Sequence, residues 1–278
     1  MSAPIPSRTT TATDRWRLRK ARAAALATRY PYAAEVLQLY QHLASFQGTF
    51  YNLLTNSGYP PVGSGGTVPG ELDLFLILPQ FQPWLRLLAS AAPAGMAAAA
   101  RQLANGQSAE WERLLETCWR NPAVPGDVDA IHALIGCAFL QPVAEYLAEG
   151  FSVDPNQYSE PLCPFCGRKP VVGVLRPEGE GGKRSLVCAM CAVEWSFRRL
   201  VCPACGEEDV YKLPVYTASD GPPVRVEACD TCRNFIKTVD LTQSGIADPL
   251  VDELASMPLT LWAVERGYRK LQPNLLGM

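Results

Sequence analysis

Histidine is scarce in this sequence. Only His42 and His132 occur among 278 residues. Neither has a carboxylate or cysteine spaced to recruit it, so both read as core or surface residues and not as ligands. An excess of one charge is missing too. With 25 Lys and Arg against 27 Asp and Glu, the net charge is −2. That balance lacks the basic field through which phosphate backbones and anionic membrane surfaces are usually recognised. Long apolar runs are also absent. The best stretch, from Ala130 to Ala144, is uncharged but falls short of the roughly 20 apolar residues a bilayer span requires. It also contains His132, Gln141 and Pro142, so membrane insertion is not expected. Residues 1–14 hold Ser, Thr and Pro with neither an apolar signal core nor a twin-arginine pair. No export signal is read there, and a cytoplasmic location is expected. The sequence shows no nucleophile–base motif, phosphate loop or dinucleotide fingerprint. It therefore nominates no catalytic or cofactor-binding residue, and an enzyme is not expected.

What is present is a globular composition, 48% hydrophobic and 19% charged, enough for a large core. Residues 1–12 read as disordered. A basic segment follows from Thr13 to Thr28, with Arg15, Arg17, Arg19, Lys20 and Arg22. Its Ala, Leu and Arg favour a helix. The cations could form a docking face for an acidic partner, but a solvated helix face is the preferred reading. Tyr32 to Leu54 carries an apolar stripe through Val36, Leu37, Tyr40, Leu43, Ala44, Phe50 and Leu54, with Pro31 suited to its first turn. Residues 56–70 read as a loop. Leu72 to Leu78, closed by Pro79, is compatible with a strand or a buried helix. Helices are predicted near 81–91, 93–104 and 109–119, with Ser108 as a cap. A longer helix is predicted from a cap at Asp127 to Ala148, kinked at Pro142. Residues 13–155 thus form an all-α domain, and 243–278 a helical tail expected to pack on it.

Between these parts the composition shifts to Cys, Gly, Pro and β-branched residues. Eight of the ten cysteines lie in four Cys-x-x-Cys knuckles: Cys163 with Cys166, Cys188 with Cys191, Cys202 with Cys205, and Cys229 with Cys232. Two intervening residues let both sulfurs of a tight turn face one cation. Gly167 and Gly206 permit the positive φ such a turn often needs, whereas Ala192 and Arg233 hold that place in the other two turns. Strands are expected at Val171–Leu175, Ser185–Val187, Lys212–Tyr216 and Val224–Glu227. An alternating strand through Val193, Trp195 and Phe197 should link the units. The pattern is a twofold repeat of a four-cysteine ribbon, residues 156–198 and 199–242. Pairing of knuckles within each unit is favoured, with interleaving of the first and third as the alternative. Disulfides are disfavoured by the spacing and the expected reducing compartment. Four thiolates suit Zn²⁺ or a rubredoxin-like single iron, and a set closed by four sulfurs leaves no place for a catalytic water. Glu160 to Asp240 holds 11 basic and 11 acidic residues. With two divalent ions on eight thiolates the module would carry about −4, which argues against nucleic acid. Cys118 and Cys137 lie in helical patterns and read as core residues.

The stretches Cys163-Pro-Phe-Cys-Gly followed by Pro170 and Val171, Val187-Cys-Ala-Met-Cys with Glu194-Trp195, Val201-Cys-Pro-Ala-Cys, and Val226-Glu-Ala-Cys-Asp-Thr-Cys through Lys237 resemble the formate dehydrogenase accessory protein FdhE family. So do Asp252-Glu-Leu-Ala-Ser and Glu265-Arg-Gly-Tyr268 in the tail, and, less closely, Ala34 to Gln47. The resemblance implies a cytoplasmic assembly factor that associates with the catalytic subunit of a respiratory formate dehydrogenase before its export. It also implies rubredoxin-like, iron-binding sites with the eight knuckle cysteines as ligands. The expected architecture is α+β: a helical N-terminal domain, two tandem four-cysteine β modules and a helical tail. Trp195 and Phe197 are nominated as partner-contact residues. A redox carrier is the alternative function, and a nucleic-acid-binding zinc ribbon a third.

Overall fold

A computed structural model describes residues 12–59, 72–120, 129–149, 151–154, 158–179, 181–218 and 220–278. The first helix, α1 (Ala12–Arg29), is where the basic segment was expected. Only part of it is a solvated face: Arg17 and Lys20 are exposed, while Arg15, Arg19 and Arg22 reach buried carboxylates. Trp16, Arg19, Ala23 and Leu26 are all buried, at helical spacing on one stripe. The Arg19 guanidinium donates to Glu145 at 2.7 Å, and Arg15 reaches the same carboxylate at 3.2 Å. Arg22 grips Asp252 with two bonds of 2.9 and 2.6 Å. Buried charges persist only when paired and hydrogen-bonded, so these three arginines form a clasp. It fastens α1 to one helix of its own domain and to the C-terminal tail.

A 3₁₀ turn at Pro31–Ala33 leads into α2 (Ala34–Ser57). The Leu72 to Leu78 run is the beginning of α3 (Leu74–Ala91), capped by Asp73, whose carboxylate accepts from Phe75 N. The helix runs through Pro79 and Pro83. Each proline costs an internal hydrogen bond, about 3 kcal/mol in a helix interior. The continuous buried stripe of Ile77, Phe81, Trp84, Leu85 and Leu88 offsets that cost, at roughly 1.5–3 kcal/mol for each large side chain. Next come α4 (Ala94–Ala104) and α5 (Ser108–Arg120). The expected cap Asp127 lies outside the described residues; Asp129 caps α6 (Ala130–Leu147), accepting from Ile131 N and His132 N.

Helix α6 is the helix among the described residues long and apolar enough to cross a membrane. Here it is the axis of the core. Phe139 stacks on Phe50 at 5.1 Å and meets Phe81 edge-on at 4.9 Å, and Leu140, Val143 and Ala144 are fully buried. Pro142 cannot donate to Ala138 O, one turn earlier. The Gln47 side chain of α2 supplies the missing donor at 2.7 Å.

The two expected four-cysteine β modules are both present, and they share one sheet. Strands β1 (Pro170–Glu178) and β2 (Gly181–Cys188) make one hairpin, with β3 (Glu194–Ser196) added at the edge. In the second unit β4 (Val215–Thr217) pairs with β5 (Val224–Ala228), which pairs with β6 (Asn234–Asp240). Lys212, expected to begin a strand, instead ends a 3₁₀ turn at Val210–Lys212. β6 then pairs in parallel with β1, Val172 opposite Lys237 through Leu175 opposite Asp240. The two units thereby fuse into one sheet of order β3-β2-β1-β6-β5-β4. At the junction a Cβ on Gly173 would come 2.4 Å from Thr238 Oγ1, so only glycine allows the close approach.

The tail consists of α7 (Pro249–Ala255), α8 (Met257–Glu265) and β7 (Arg269–Lys270), which pairs with β6. Leu250 and Leu259 cover Val172, Val174 and Val239. On this sheet face Lys237 is buried, with its ammonium 2.8 Å from Glu253 Oε1 and donating to Glu253 O at 2.6 Å. Lys270 and Asn274 complete the carboxylate's partners. The opposite sheet face, with Leu186, Trp195 and Ile236, merges with the core of the helical domain.

Candidate metal centres

The four knuckles share one backbone design. In each, the N–H of the first cysteine donates to the carbonyl five residues on, and in the first, third and fourth its own carbonyl accepts from the N–H four residues on. The first pair of bonds is Cys163 N to Arg168 O and Gly167 N to Cys163 O, at 2.8 and 2.9 Å. Cys202 with Gly206 and Glu207, and Cys229 with Arg233 and Asn234, repeat both bonds at 2.9 Å; Cys188 N reaches Val193 O at 3.0 Å. The fifth residue of every turn is left-handed: Gly167 at φ 70°, Ala192 at 54°, Gly206 at 78° and Arg233 at 57°. Ala192 and Arg233 adopt it despite a cost of roughly 1–2 kcal/mol for a residue with a Cβ. Arg233 is held there by Asp230 at 2.7 Å, by Arg266 O at 2.6 Å and by its position over the Tyr268 ring. N–H groups point at sulfur, Met190 N to Cys188 at 3.3 Å and Ala204 N to Cys202 at 3.4 Å.

Two tetrads result, Cys163, Cys166, Cys188 and Cys191 in one, Cys202, Cys205, Cys229 and Cys232 in the other, with the sulfurs of each within 4.8 Å of one another. Knuckles pair within each repeat unit and do not interleave. Neighbouring sulfurs lie 3.3–3.6 Å apart in the first tetrad and 3.7 Å apart in the second. A disulfide would need about 2.05 Å. A tetrahedron with metal–sulfur bonds of about 2.3 Å has edges of about 3.8 Å. The spacing therefore fits sulfurs around one ion, and all ten cysteines are free of disulfides. Burial pushes the Cys188 and Cys191 thiols well up, while the other three sulfurs hold Cys166 down. Four adjacent thiols cannot all ionise on their own; a cation is the group that would allow it.

The tetrads differ in setting. Cys163, Cys188 and Cys191 belong to the main core with Phe165, Met190 and Trp195. Gln141 of α6 donates to Ala189 O within the second knuckle at 3.0 Å, and Trp195 Nε1 donates to Glu160 O at 3.0 Å. The second tetrad lies at the surface, with Cys205 exposed. Its support comes from polar residues that spacing alone did not single out. Thr231 donates to Glu207 across the two knuckles at 2.5 Å, and Tyr268 of the tail donates to Asp230 at 2.6 Å. Trp195 and Phe197 are only 2% and 8% exposed. They are core residues, because Trp195 in the edge strand and Phe197 just beyond its end both pack into the core shared with the helical domain, and they present no contact surface.

Comparison with known proteins follows the same divisions. Residues 162–199 match the FdhE central domain and residues 200–276 the FdhE C-terminal domain. An FdhE homolog from Pseudomonas aeruginosa is 34% identical over 224 residues, covering 76% of this chain and 71% of that one. The chain belongs to the FdhE family. A homolog from Aquifex aeolicus is 31% identical over 141 residues, half of each chain. The crystal structure of the FdhE protein from Pseudomonas aeruginosa superposes with a TM-score of 0.70 at 27% identity, covering 96% of this chain and 97% of that one. The family likeness thus extends through the helical domain, where sequence resemblance is weaker than around the knuckles.

Proposed function

We propose that the chain is a cytoplasmic accessory factor that binds the catalytic subunit of a respiratory formate dehydrogenase and supports its maturation. The eight knuckle cysteines hold two metal ions, iron or zinc. The observation that carries the reading is the pair of sulfur tetrads at tetrahedral spacing inside the regions that match the FdhE domains. Sites closed by four protein sulfurs serve structure or electron exchange, with no position for a hydrolytic water. This reading gives the tetrads a structural part in recognising the partner. Beside the second tetrad Leu200, Val210, Tyr211 and Val215 are exposed apolar side chains, and this reading assigns that surface to the partner. The test is co-purification of a tagged chain with the catalytic subunit from cells respiring formate. Recovery of the pair, weakened by Leu200→Asp, supports the role. A chain recovered alone while formate dehydrogenase matures normally in its absence overturns it.

The exposed Cys205 favours one second reading, a rubredoxin-like electron carrier. Anaerobically purified protein would then be red, bleach with dithionite and exchange electrons with a soluble donor. A colourless zinc-loaded protein excludes that role.

A further inference from the structure

Cys118 and Cys137, outside both tetrads, are brought together by the packing of α5 on α6. The Cys118 sulfur sits against the backbone of Gly136, where a Cβ would come within 2.8 Å of it, and it points at Ala133 O at 3.5 Å. Both thiols line one cavity of about 740 Å³. Its other walls include Met190 of the first tetrad's second knuckle and Leu275 near the C-terminus. Two cations, the buried Arg168 and the exposed Lys169, line it as well. Arg168 braces the pair by donating to Cys118 O and Trp119 O. Cys118 is 3% exposed, whereas Cys137 is only half-buried.

We propose that Cys137 and Cys118 form a thiol–disulfide exchange pair whose substrate is a small anionic disulfide admitted to this cavity. The Cys137 thiolate attacks one sulfur of the disulfide RSSR. That S–S bond breaks, and the departing RS⁻ takes up a proton. Cys118 then gives up its proton, attacks the Cys137 sulfur of the mixed disulfide and expels the second RS⁻, which is protonated in turn. Two protein thiols are oxidised to one disulfide, and RSSR is reduced to two RSH. The order of attack follows from the asymmetry of the pair. The Cys118 thiol and the Arg168 guanidinium hold Cys137 down at about 7, while Cys137 and burial push Cys118 up. A thiol with a pKa near ambient pH is the best attacker. Arg168 and Lys169 supply the charge that a carboxylate-bearing disulfide would meet.

The experiment uses the full chain with both metal sites loaded and glutathione disulfide as probe, read by intact mass and peptide mapping. The wild-type protein should gain a Cys118–Cys137 cross-link with both metals retained. Cys118→Ser should accumulate a glutathione adduct on Cys137, and Cys137→Ser should react at Cys118 at least about tenfold more slowly. The proposal is overturned if the adduct forms first on Cys118, if modification is confined to Cys205, or if the metal-loaded wild-type and Cys118→Ser proteins both leave Cys137 unmodified. Loss of metal before any change at Cys137 also counts against it.

Discussion

Removing the two metal ions with a chelator should proceed at very different rates. A chelator must approach the ion directly. At the second tetrad the exposed Cys205 lets it do so with little rearrangement. At the first, Phe165, Met190 and Trp195 are all no more than 4% exposed and would have to swing into water. Exposing a large apolar side chain costs about 1.5–3 kcal/mol, so the opening costs about 6 kcal/mol for the three. At roughly 1.4 kcal/mol for each tenfold change, the first ion should leave about ten-thousandfold more slowly. The assay follows metal release with a chromophoric chelator while near-ultraviolet circular dichroism reports on Trp195 and its neighbours. The fast phase should carry one equivalent of metal with almost no change in the aromatic signal, and the slow phase the second equivalent with loss of it. Structural zinc sites contribute on the order of 10 kcal/mol, comparable with the 5–15 kcal/mol of a whole domain, so the slow phase should also be a global unfolding. Two ions leaving within tenfold of each other, or the aromatic signal surviving loss of both, would refute the claim that the first tetrad is part of the core.

Further outcomes follow from individual side chains. Gln47→Leu leaves Ala138 O buried without its donor and should destabilise the protein by about 1–3 kcal/mol in urea unfolding. Ala192→Gly relieves a left-handed residue and should raise stability by about 1 kcal/mol, seen as a later urea midpoint. Gly173→Val forces apart the β1–β6 pair at Thr238 and should abolish soluble expression or release the second unit to rapid hydrogen exchange. Burial pushes the Glu253 carboxyl up, but Lys237 and Lys270 outweigh that and hold it at about 2. A depressed carboxyl contributes stability present above its unfolded value near 4.5 and lost as pH falls toward 2. The contribution is about 3 kcal/mol, and Glu253→Gln should flatten the acid limb of the stability profile in that window.

What could be read from the sequence was whatever spacing encodes. The knuckles needed only Cys-x-x-Cys repeated four times, and left-handed turns at Gly167 and Gly206 followed from glycine. The long helices needed only their apolar stripes. Two of the misses share a cause, a charged residue turned inward by a partner elsewhere in the chain. Arg15, Arg19 and Arg22 looked solvated because Glu145 and Asp252 lie more than a hundred residues away. β6 was hidden by Lys237 in the middle of Asn234–Asp240, a position that is apolar in most buried strands. Its burial depends on Glu253 in α7. Trp195 and Phe197 erred the other way, since alternation says that two side chains share a face but not which body covers it.

The position of β6 explains why the repeat is fused and not merely tandem. A four-cysteine ribbon alone has few apolar residues, and its hairpin leaves an open edge. Pairing β1 with β6 in parallel removes one open edge from each unit and aligns Val172 and Val174 with Lys237 and Val239 on one face. That face is covered by α7, which Arg22 ties to α1 through Asp252. A parallel pair requires a long connection, and here the connection from β1 to β6 holds β2, β3 and then the second metal unit with its four cysteines. The second tetrad is therefore carried as an insertion on a strand that belongs to the core. This lets it stand at the surface, with Cys205 in solvent, without weakening the helical domain behind it.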